Sequence, residues 1–367
     1  MVGRVALAAG VALAALALGA VLFAFRPDIS LADIKTRYAS LVLSNASSFL
    51  PLGEGHAVHV RDQGAREGMA LVLLHDADSS LHSFEPWVAS LGRHYRVVSL
   101  DLPGHGLTGP IPGADETAQA MVPVLDTVAS KLGLARFVLA GNGMGGDLAL
   151  RYAQAHPERV SELVLIAPQS LPEPGAIAGR APFLLGFARV PLLGKLARYA
   201  NLKGRVRAEL KRDFYDDARV RADMVARQWL LLRAEGNREA LLARLSQRAA
   251  DSFADKLGAI DKPVLLLWGA ADEVAPVSRA MRYQEVLPQA ALVVFENVGH
   301  FVQEEAPVES AAVVNAFLLG LPVGTAESES AIRRLYGTVP PLPAMPIKPV
   351  EIRPLAPPPE PVRLPSP

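Results

Sequence analysis

The chain has 367 residues, half of them hydrophobic and a fifth charged, with 37 basic side chains against 37 acidic ones. That balance excludes the basic excess by which nucleic-acid binders meet phosphate, so no nucleic-acid partner is expected. The absence of cysteine excludes a disulfide framework, a thiolate metal site, an iron–sulfur cluster and a cysteine nucleophile. None of the eight histidines is spaced His-x-x-x-His, so no metal site is expected either.

Residues 5–25 form an uncharged apolar run bounded by Arg4 and Arg26. At about 1.5 Å per residue, a helix of this length covers a hydrocarbon core of roughly 30 Å. It is longer than the apolar region of a signal peptide, and its end, Leu22-Phe23-Ala24-Phe25-Arg26, makes a poor cleavage site. The expectation is a single-pass N-terminal membrane anchor, followed by a juxtamembrane linker over 26–49. Arg26, Lys35 and Arg37 outnumber Arg4 across the run, but folded domains translocate despite such charges, so the side of the main domain stays open. At the other end, 12 of the 28 residues from Pro340 to Pro367 are proline. Proline donates to no helix or sheet ladder, so residues 321–367 read as a disordered Pro-rich tail, with a proline-reading domain as one conceivable partner.

Between these ends, Val58–Arg61 alternates like an exposed strand. Ala70–Leu74, Val97–Leu100, Phe137–Ala140, Leu163–Ile166 and Val264–Trp268 are short continuous apolar runs. Helical patterns separate them over Leu81–Leu91, Glu116–Leu132, Met144–Ala155 and Val277–Leu287. Buried parallel strands read as continuous apolar runs and need helical crossovers, so the alternation predicts a mostly parallel, doubly wound α/β sheet. Residues 50–171 and 258–320 are its two parts. Residues 172–257 hold helix-like segments without a convincing strand and read as an inserted helical cap. From Arg180 to Arg248 the cap carries 16 Lys/Arg against seven Asp/Glu, beside the apolar run Pro182–Leu196.

Functional side chains of such a sheet gather at the carboxyl ends of its strands. There the chain carries His75-Asp76-Ala77-Asp78-Ser79-Ser80, Asp101-Leu102-Pro103-Gly104-His105-Gly106, Gly141-Asn142-Gly143-Met144-Gly145-Gly146, Ala271-Asp272 and Gly299-His300. In this order and spacing, over roughly residues 50–320, they resemble the α/β-hydrolase family, in particular its capped branch of esterases, epoxide hydrolases and carbon–carbon bond hydrolases. The resemblance implies a Ser–Asp–His triad on the α/β-hydrolase fold. Asp272 matches the acid and His300 the base. The backbone N–H groups of Ala77 and Met144 match the two oxyanion donors. Asp101 and His105 match a turn that shapes the loop. Phe84, Trp87 and Met144 read equally as pocket neighbours and as core.

Two positions depart from the family pattern. Gly143 stands where the family carries its serine nucleophile, and glycine forms no acyl- or alkyl-enzyme. Asp76 stands where the oxyanion loop usually has glycine. A carboxylate of Asp76 or Asp78 turned inward would oppose a developing oxyanion. The elbow conformation costs a side-chain-bearing residue about 1–3 kcal/mol, which glycine avoids.

Two functional classes follow. The first is a non-hydrolysing, membrane-tethered pseudoenzyme that binds a small apolar or lipid-like ligand, its basic cap meeting anionic lipid. The second is a hydrolase- or lyase-like enzyme using a His300/Asp272 base dyad without covalent serine, with Ser79 or Ser80 as a weaker relocated nucleophile. Gly141, Gly143 and Gly146 also satisfy G-x-G-x-x-G. A dinucleotide reading needs an acid about 20 residues on, and the next strand ends Leu165-Ile166-Ala167-Pro168 without one. No cofactor is expected.

Overall fold

The computed structural model describes residues 25–53, 55–111, 115–171, 199, 201–247, 253–321 and 323. The expected anchor, except Phe25, and the Pro-rich tail, except Leu321 and Val323, lie outside the described residues, as does the cap's first part apart from Tyr199. Among the described residues, no helix is long and apolar enough to cross a membrane.

Eight strands form one sheet: β1 (Ser47–Gly53), β2 (His56–Gly64), β3 (Ala70–Leu74), β4 (Arg96–Leu100), β5 (Phe137–Asn142), β6 (Val160–Ile166), β7 (Val264–Gly269) and β8 (Ala290–Phe295). Their spatial order is β1-β2-β4-β3-β5-β6-β7-β8. The β1–β2 and β2–β4 pairs are antiparallel and all others parallel. The continuous apolar runs are strands buried on both faces: Leu71 and Leu73 join one core layer, Val72 and Leu74 the other. Helices α3 (Ala118–Lys131), α4 (Met144–Ala155) and α8 (Ser278–Val286) cover the face of Val72. Helices α2 (Glu85–Leu91) and α9 (Pro307–Leu318) cover the opposite one. Each fully buried leucine or valine contributes about 1.5–3 kcal/mol, so the sheet is the rigid base of the site.

Two local expectations are corrected. The segment Val58–Arg61 is not an exposed strand: Val58, His59 and Val60 are fully buried. The reason is β1, which the sequence pattern does not announce and which pairs along β2 to make the edge itself. Leu81–Leu91 is not one helix but a 3₁₀ turn over Leu81–Phe84 leading into α2, with Pro86 in its first turn.

Between β6 and β7 the described part of the insertion holds α5 (Lys203–Asp213), α6 (Ala222–Leu232) and α7 (Asn237–Gln247), with no strand among its described residues. These helices have a core of their own, in which Val206, Phe214, Met224 and Trp229 meet Phe301 of the sheet domain. The segment before α1 (Leu31–Arg37) straps onto this cap. Ile29 forms a parallel bridge with Ala234, Arg26 N–H donates to the Tyr199 carbonyl at 2.7 Å, and the buried Arg238 grips Asp28 through Nε at 3.0 Å.

Candidate functional site

The site is built at the turn from β5 into α4. Gly143 takes φ 50°, ψ −113°, a left-handed conformation that strains any residue with a Cβ. Its neighbours make the turn tight. A Cβ on Gly141 would lie 2.2 Å from the Gly145 carbonyl oxygen, and one on Gly145 2.1 Å from that of Leu74. The glycines of this turn are therefore packing requirements. The helix N-terminus they expose holds no vacant phosphate cradle, because the Asp76 carboxylate occupies it. That removes the dinucleotide reading.

Asp76 is the residue whose placement decides the site. Of the two loop carboxylates it is the one turned inward, and it is buried. Its Oδ1 accepts from Met144 N–H at 2.7 Å, and the Ala77 N–H also supports the carboxylate. These are the two donors expected to face an oxyanion. A Cβ built on Gly143 would fall 2.0 Å from Asp76 Oδ1 and 2.3 Å from its Cγ. The two departures in the sequence are thus one structural exchange: the carboxylate sits where a side chain at 143 would begin.

His300 and Asp272 do meet. His300 Nδ1 lies 2.7 Å from Asp272 Oδ2, and the ring is buried. Asp272 Oδ1 accepts from the N–H groups of Val274 and Ala275, both at 2.8 Å, which orients the acid. On its other side His300 Nε2 lies 3.3 Å from Asp76 Oδ2. That contact is an ion pair out of line for a hydrogen bond, since Nε2 has no aligned partner. Burial disfavours the imidazolium, but Asp272 and Asp76 outweigh it and push the His300 pKa up to about 10. The Asp76 carboxyl is held well below the usual range against its own desolvation, chiefly by His300, then by the Met144 and Ala77 N–H groups. The two acids on either side of the ring therefore favour its imidazolium form.

Sequence reasoning missed the groups that hold the His300 loop. Asp213, the last residue of α5, accepts the His300 N–H on its backbone oxygen at 2.7 Å. Glu305 accepts from Gly299 N–H and Tyr215 N–H, both at 2.8 Å, and so joins the His300 loop to the cap. Burial raises its carboxyl to about 7. Asn142 donates to the His300 carbonyl at 3.3 Å and accepts from Gln303 at 3.2 Å. Nothing in the local sequence marks Asp213 or Glu305; Asp213 is 87 residues from His300, and Glu305 is 90 from Tyr215.

Other candidates fall outside the reacting centre. Asp101 is a buried structural anion that accepts from His59 at 2.7 Å, Leu107 N–H at 2.8 Å and Leu81 N–H at 2.9 Å. His105 bonds the Pro103 and Ala77 carbonyls, and His75 is fixed as the Nδ1–H tautomer by donating to Asp76 O and accepting from Leu102 N–H. Ser80 pairs with His82 and Ser79 donates to the Ser80 carbonyl at 3.5 Å; neither is hydrogen-bonded to His300. Phe84 and Trp87 are core residues, with Trp87 donating to Ser310 at 2.8 Å. Asp78 instead lines a cavity of about 40 Å³ between the cap and the loops after β3 and β4.

A sheet of this order, with a strained turn after β5, an acid after β7, a histidine after β8 and a cap between β6 and β7, defines an α/β-hydrolase. The chain matches the alpha/beta hydrolase fold family over residues 70–307, and it belongs to that family. It is 28% identical over 279 residues to a 2-hydroxy-6-oxononadienedioate/2-hydroxy-6-oxononatrienedioate hydrolase of Cupriavidus pinatubonensis, covering 71% of this chain and 91% of that protein. It is 32% identical over 264 residues to the dihydrolipoyllysine-residue acetyltransferase component of an acetoin cleaving system of Pseudomonas putida. That match covers 70% of this chain but only 65% of the other. Among solved structures it is similar to a membrane phospholipase A, a bacterial virulence factor, with TM-score 0.62 and 25% identity over 87% of this chain and 97% of that one.

Proposed function

We propose that this protein is a membrane-tethered member of the α/β-hydrolase family that holds a small apolar or lipid-like ligand beneath its cap and does not perform serine-type hydrolysis. The observation that carries the reading is the Asp76 carboxylate in the place of a side chain at 143. It has three chemical consequences. Among the described residues, no hydroxyl is hydrogen-bonded to His300. The two backbone donors that would stabilise an oxyanion are spent on a resident anion, where losing even one such donor costs roughly 10²–10³-fold in turnover. His300, already protonated at neutral pH, cannot take a proton from a nucleophile.

The lipid-like ligand and the tether are supported by the apolar run over 5–25, by the basic cap, and by the similarity to a membrane phospholipase A over most of this chain. The strap from Phe25 to Ser30 ties the end of that run to the cap, which would set the cap near a bilayer. The test is a comparison of the full chain with His300→Ala on activated esters of short to long chain length. Equal background rates are expected. His300-dependent turnover by the native chain would overturn the reading.

A second reading is favoured by one observation: the His300–Asp272 pair is held in register, with His300 Nε2 left without an aligned partner. In that reading the chain is an enzyme, as the names of its hydrolase relatives suggest, and His300 and Asp272 move a proton without covalent serine. Turnover by the native chain that is lost in both His300→Ala and Asp272→Ala would select it.

A further inference from the structure

Outside the His300 centre, a second serine, histidine and aspartate meet at the edge of the sheet. They come from β1, β2 and the loop after β4. The His59 ring is fully buried, whereas Ser47, the first residue of β1, is half-buried beside the exposed Ser44 and Asn45. His59 Nδ1 lies 2.7 Å from Asp101 Oδ2, and its Nε2 lies 3.0 Å from Ser47 Oγ. A carboxylate only accepts, so Nδ1 is the donor, and in the neutral ring Nε2 is left to accept from the Ser47 O–H. Burial disfavours the Asp101 anion, yet the His59 bond, with His75 and His82 close by, holds its carboxyl well below the usual range. Leu81 N–H at 2.9 Å and Leu107 N–H at 2.8 Å fix that carboxylate in turn.

Hydroxyl, imidazole and carboxylate thus stand in the order that lets a serine give up its proton as it attacks, and such a relay is defined by geometry and roles, whatever positions carry it. Two further donors reach the oxygen: Ser44 N–H at 3.1 Å and Arg61 Nε at 3.3 Å. Both favour negative charge on Oγ. The longer contact, from Arg61, is the one that yields to an incoming carbonyl carbon, and it leaves a guanidinium beside the charge that develops. Phe49 stacks on the His59 ring with centroids 5.1 Å apart, and Lys35 Nζ lies 3.3 Å from the centre of the Phe49 ring. Water is thereby kept from the imidazole while Ser47 keeps part of its surface. A purely structural histidine needs a second partner of any kind. Here that partner is a half-buried hydroxyl with a cation on its oxygen.

We infer that Ser47 is an acyl-accepting serine, activated by His59 and positioned through it by Asp101, that takes its acyl group from a small activated ester. Ser47 Oγ forms the bond to the ester's carbonyl carbon as its proton passes to His59 Nε2. The donor's C–O bond then breaks, and the departing alcohol carries that proton away. One acyl group stays on Ser47 as an ester, so the event is a modification of one equivalent per chain and not a turnover.

The test treats the full chain with p-nitrophenyl acetate and maps acetylated serines by peptide mass spectrometry over time. Ser48, exposed on the other face of β1, is the control within the same chain. Ser47 is expected to acetylate at least 100-fold faster than Ser48, and His59→Gln to remove that preference. Equal labelling of the two serines, or a preference that survives in a folded His59→Gln variant, overturns the proposal. Should His59→Gln fail to fold, thiol chemistry decides. The chain has no cysteine, so Ser47→Cys and Ser48→Cys each carry a single thiol whose alkylation by iodoacetamide can be followed against pH. The Ser48→Cys thiol is expected to titrate near the ordinary value of about 8.5, and the Ser47→Cys thiol, facing His59, Arg61 and Lys35, at least one pH unit lower. Coincident profiles would overturn the proposal. The acyl mark is read on Ser47 itself, so ester turnover that depends on His300 would remove the non-hydrolysing reading and leave this one standing.

Discussion

Restoring serine at position 143 should not by itself restore a hydrolase. A Cβ at that position falls 2.0 Å from Asp76 Oδ1, a full ångström inside the closest approach that real side chains make. The carboxylate must therefore leave, forfeiting its bond to Met144 N–H and its ion pair with His300. Breaking a buried pair costs about 3–5 kcal/mol, and the φ of +50° adds about 1–3 kcal/mol for a residue with a Cβ. At about 2–4 °C per kcal/mol for a domain of this size, Gly143→Ser should melt some 10 °C or more below the native chain. Gly143→Ser with Asp76→Gly removes the collision, frees the Ala77 and Met144 N–H groups and leaves His300 with Asp272 alone. A serine nucleophile is worth roughly 10⁶-fold in turnover, so even a poorly seated one should raise ester hydrolysis at least 10³-fold over the native chain. The assay is p-nitrophenyl ester hydrolysis by the native chain, both single variants, the double variant, and the double variant with His300→Ala. Turnover is expected from the double variant only. Equal activity in Gly143→Ser alone would refute the claim that Asp76 fills the serine's place.

The remaining predictions concern charge and support. His300, with a pKa near 10, contributes stability that is complete below its unfolded value of about 6.5 and is lost as pH rises through 10. Asp76 contributes in the opposite window, present above about 3.9 and lost as pH falls toward its depressed value. Asp76→Asn should therefore lower the His300 midpoint by at least one pH unit in ring nitrogen NMR; a midpoint still near 10 would show that Asp272 alone sets it. Asp101→Asn should cost about 3–5 kcal/mol in urea unfolding while leaving the His300 titration in place, because Asp101 anchors loops and not the reacting centre. Asp28→Ala should cost about 2 kcal/mol, less than a fully buried pair because Asp28 is partly exposed, and should speed hydrogen exchange at the start of α7. Unchanged exchange there would sink the strap.

Local periodicity was enough for the sheet. Continuous apolar runs ending at Gly, Asp, Pro or His could be little else than buried parallel strands, and Met144–Ala155 is a helix over the span its pattern predicts. The helices α5, α6 and α7 between β6 and β7 were equally legible, because they carry helical patterns of their own. The edge strand β1 was not, since Ser47–Gly53 contains both proline and glycine and becomes a strand only by pairing with β2. Asp272 and His300 could be assigned from their order after the strands, which the chain's connectivity imposes. The fold brings the two candidates within 2.7 Å, His300 Nδ1 to Asp272 Oδ2.

Asp76 is the contrary case. Residue order identified it as a departure, and Gly143 as another, but a side chain's direction is set by what surrounds it. Only in the folded chain do the Met144 N–H, the His300 ring and the empty volume above Gly143 converge on one carboxylate. The sequence by itself determined the scaffold and the glycine at position 143 in the turn after β5, because each depends on composition or spacing along the chain. The tertiary structure decided that the Asp76 carboxylate fills the space beside Gly143, and that His300 lies between two acids. Asp76 stands 67 positions from Gly143 and 224 from His300, joined to them only by packing.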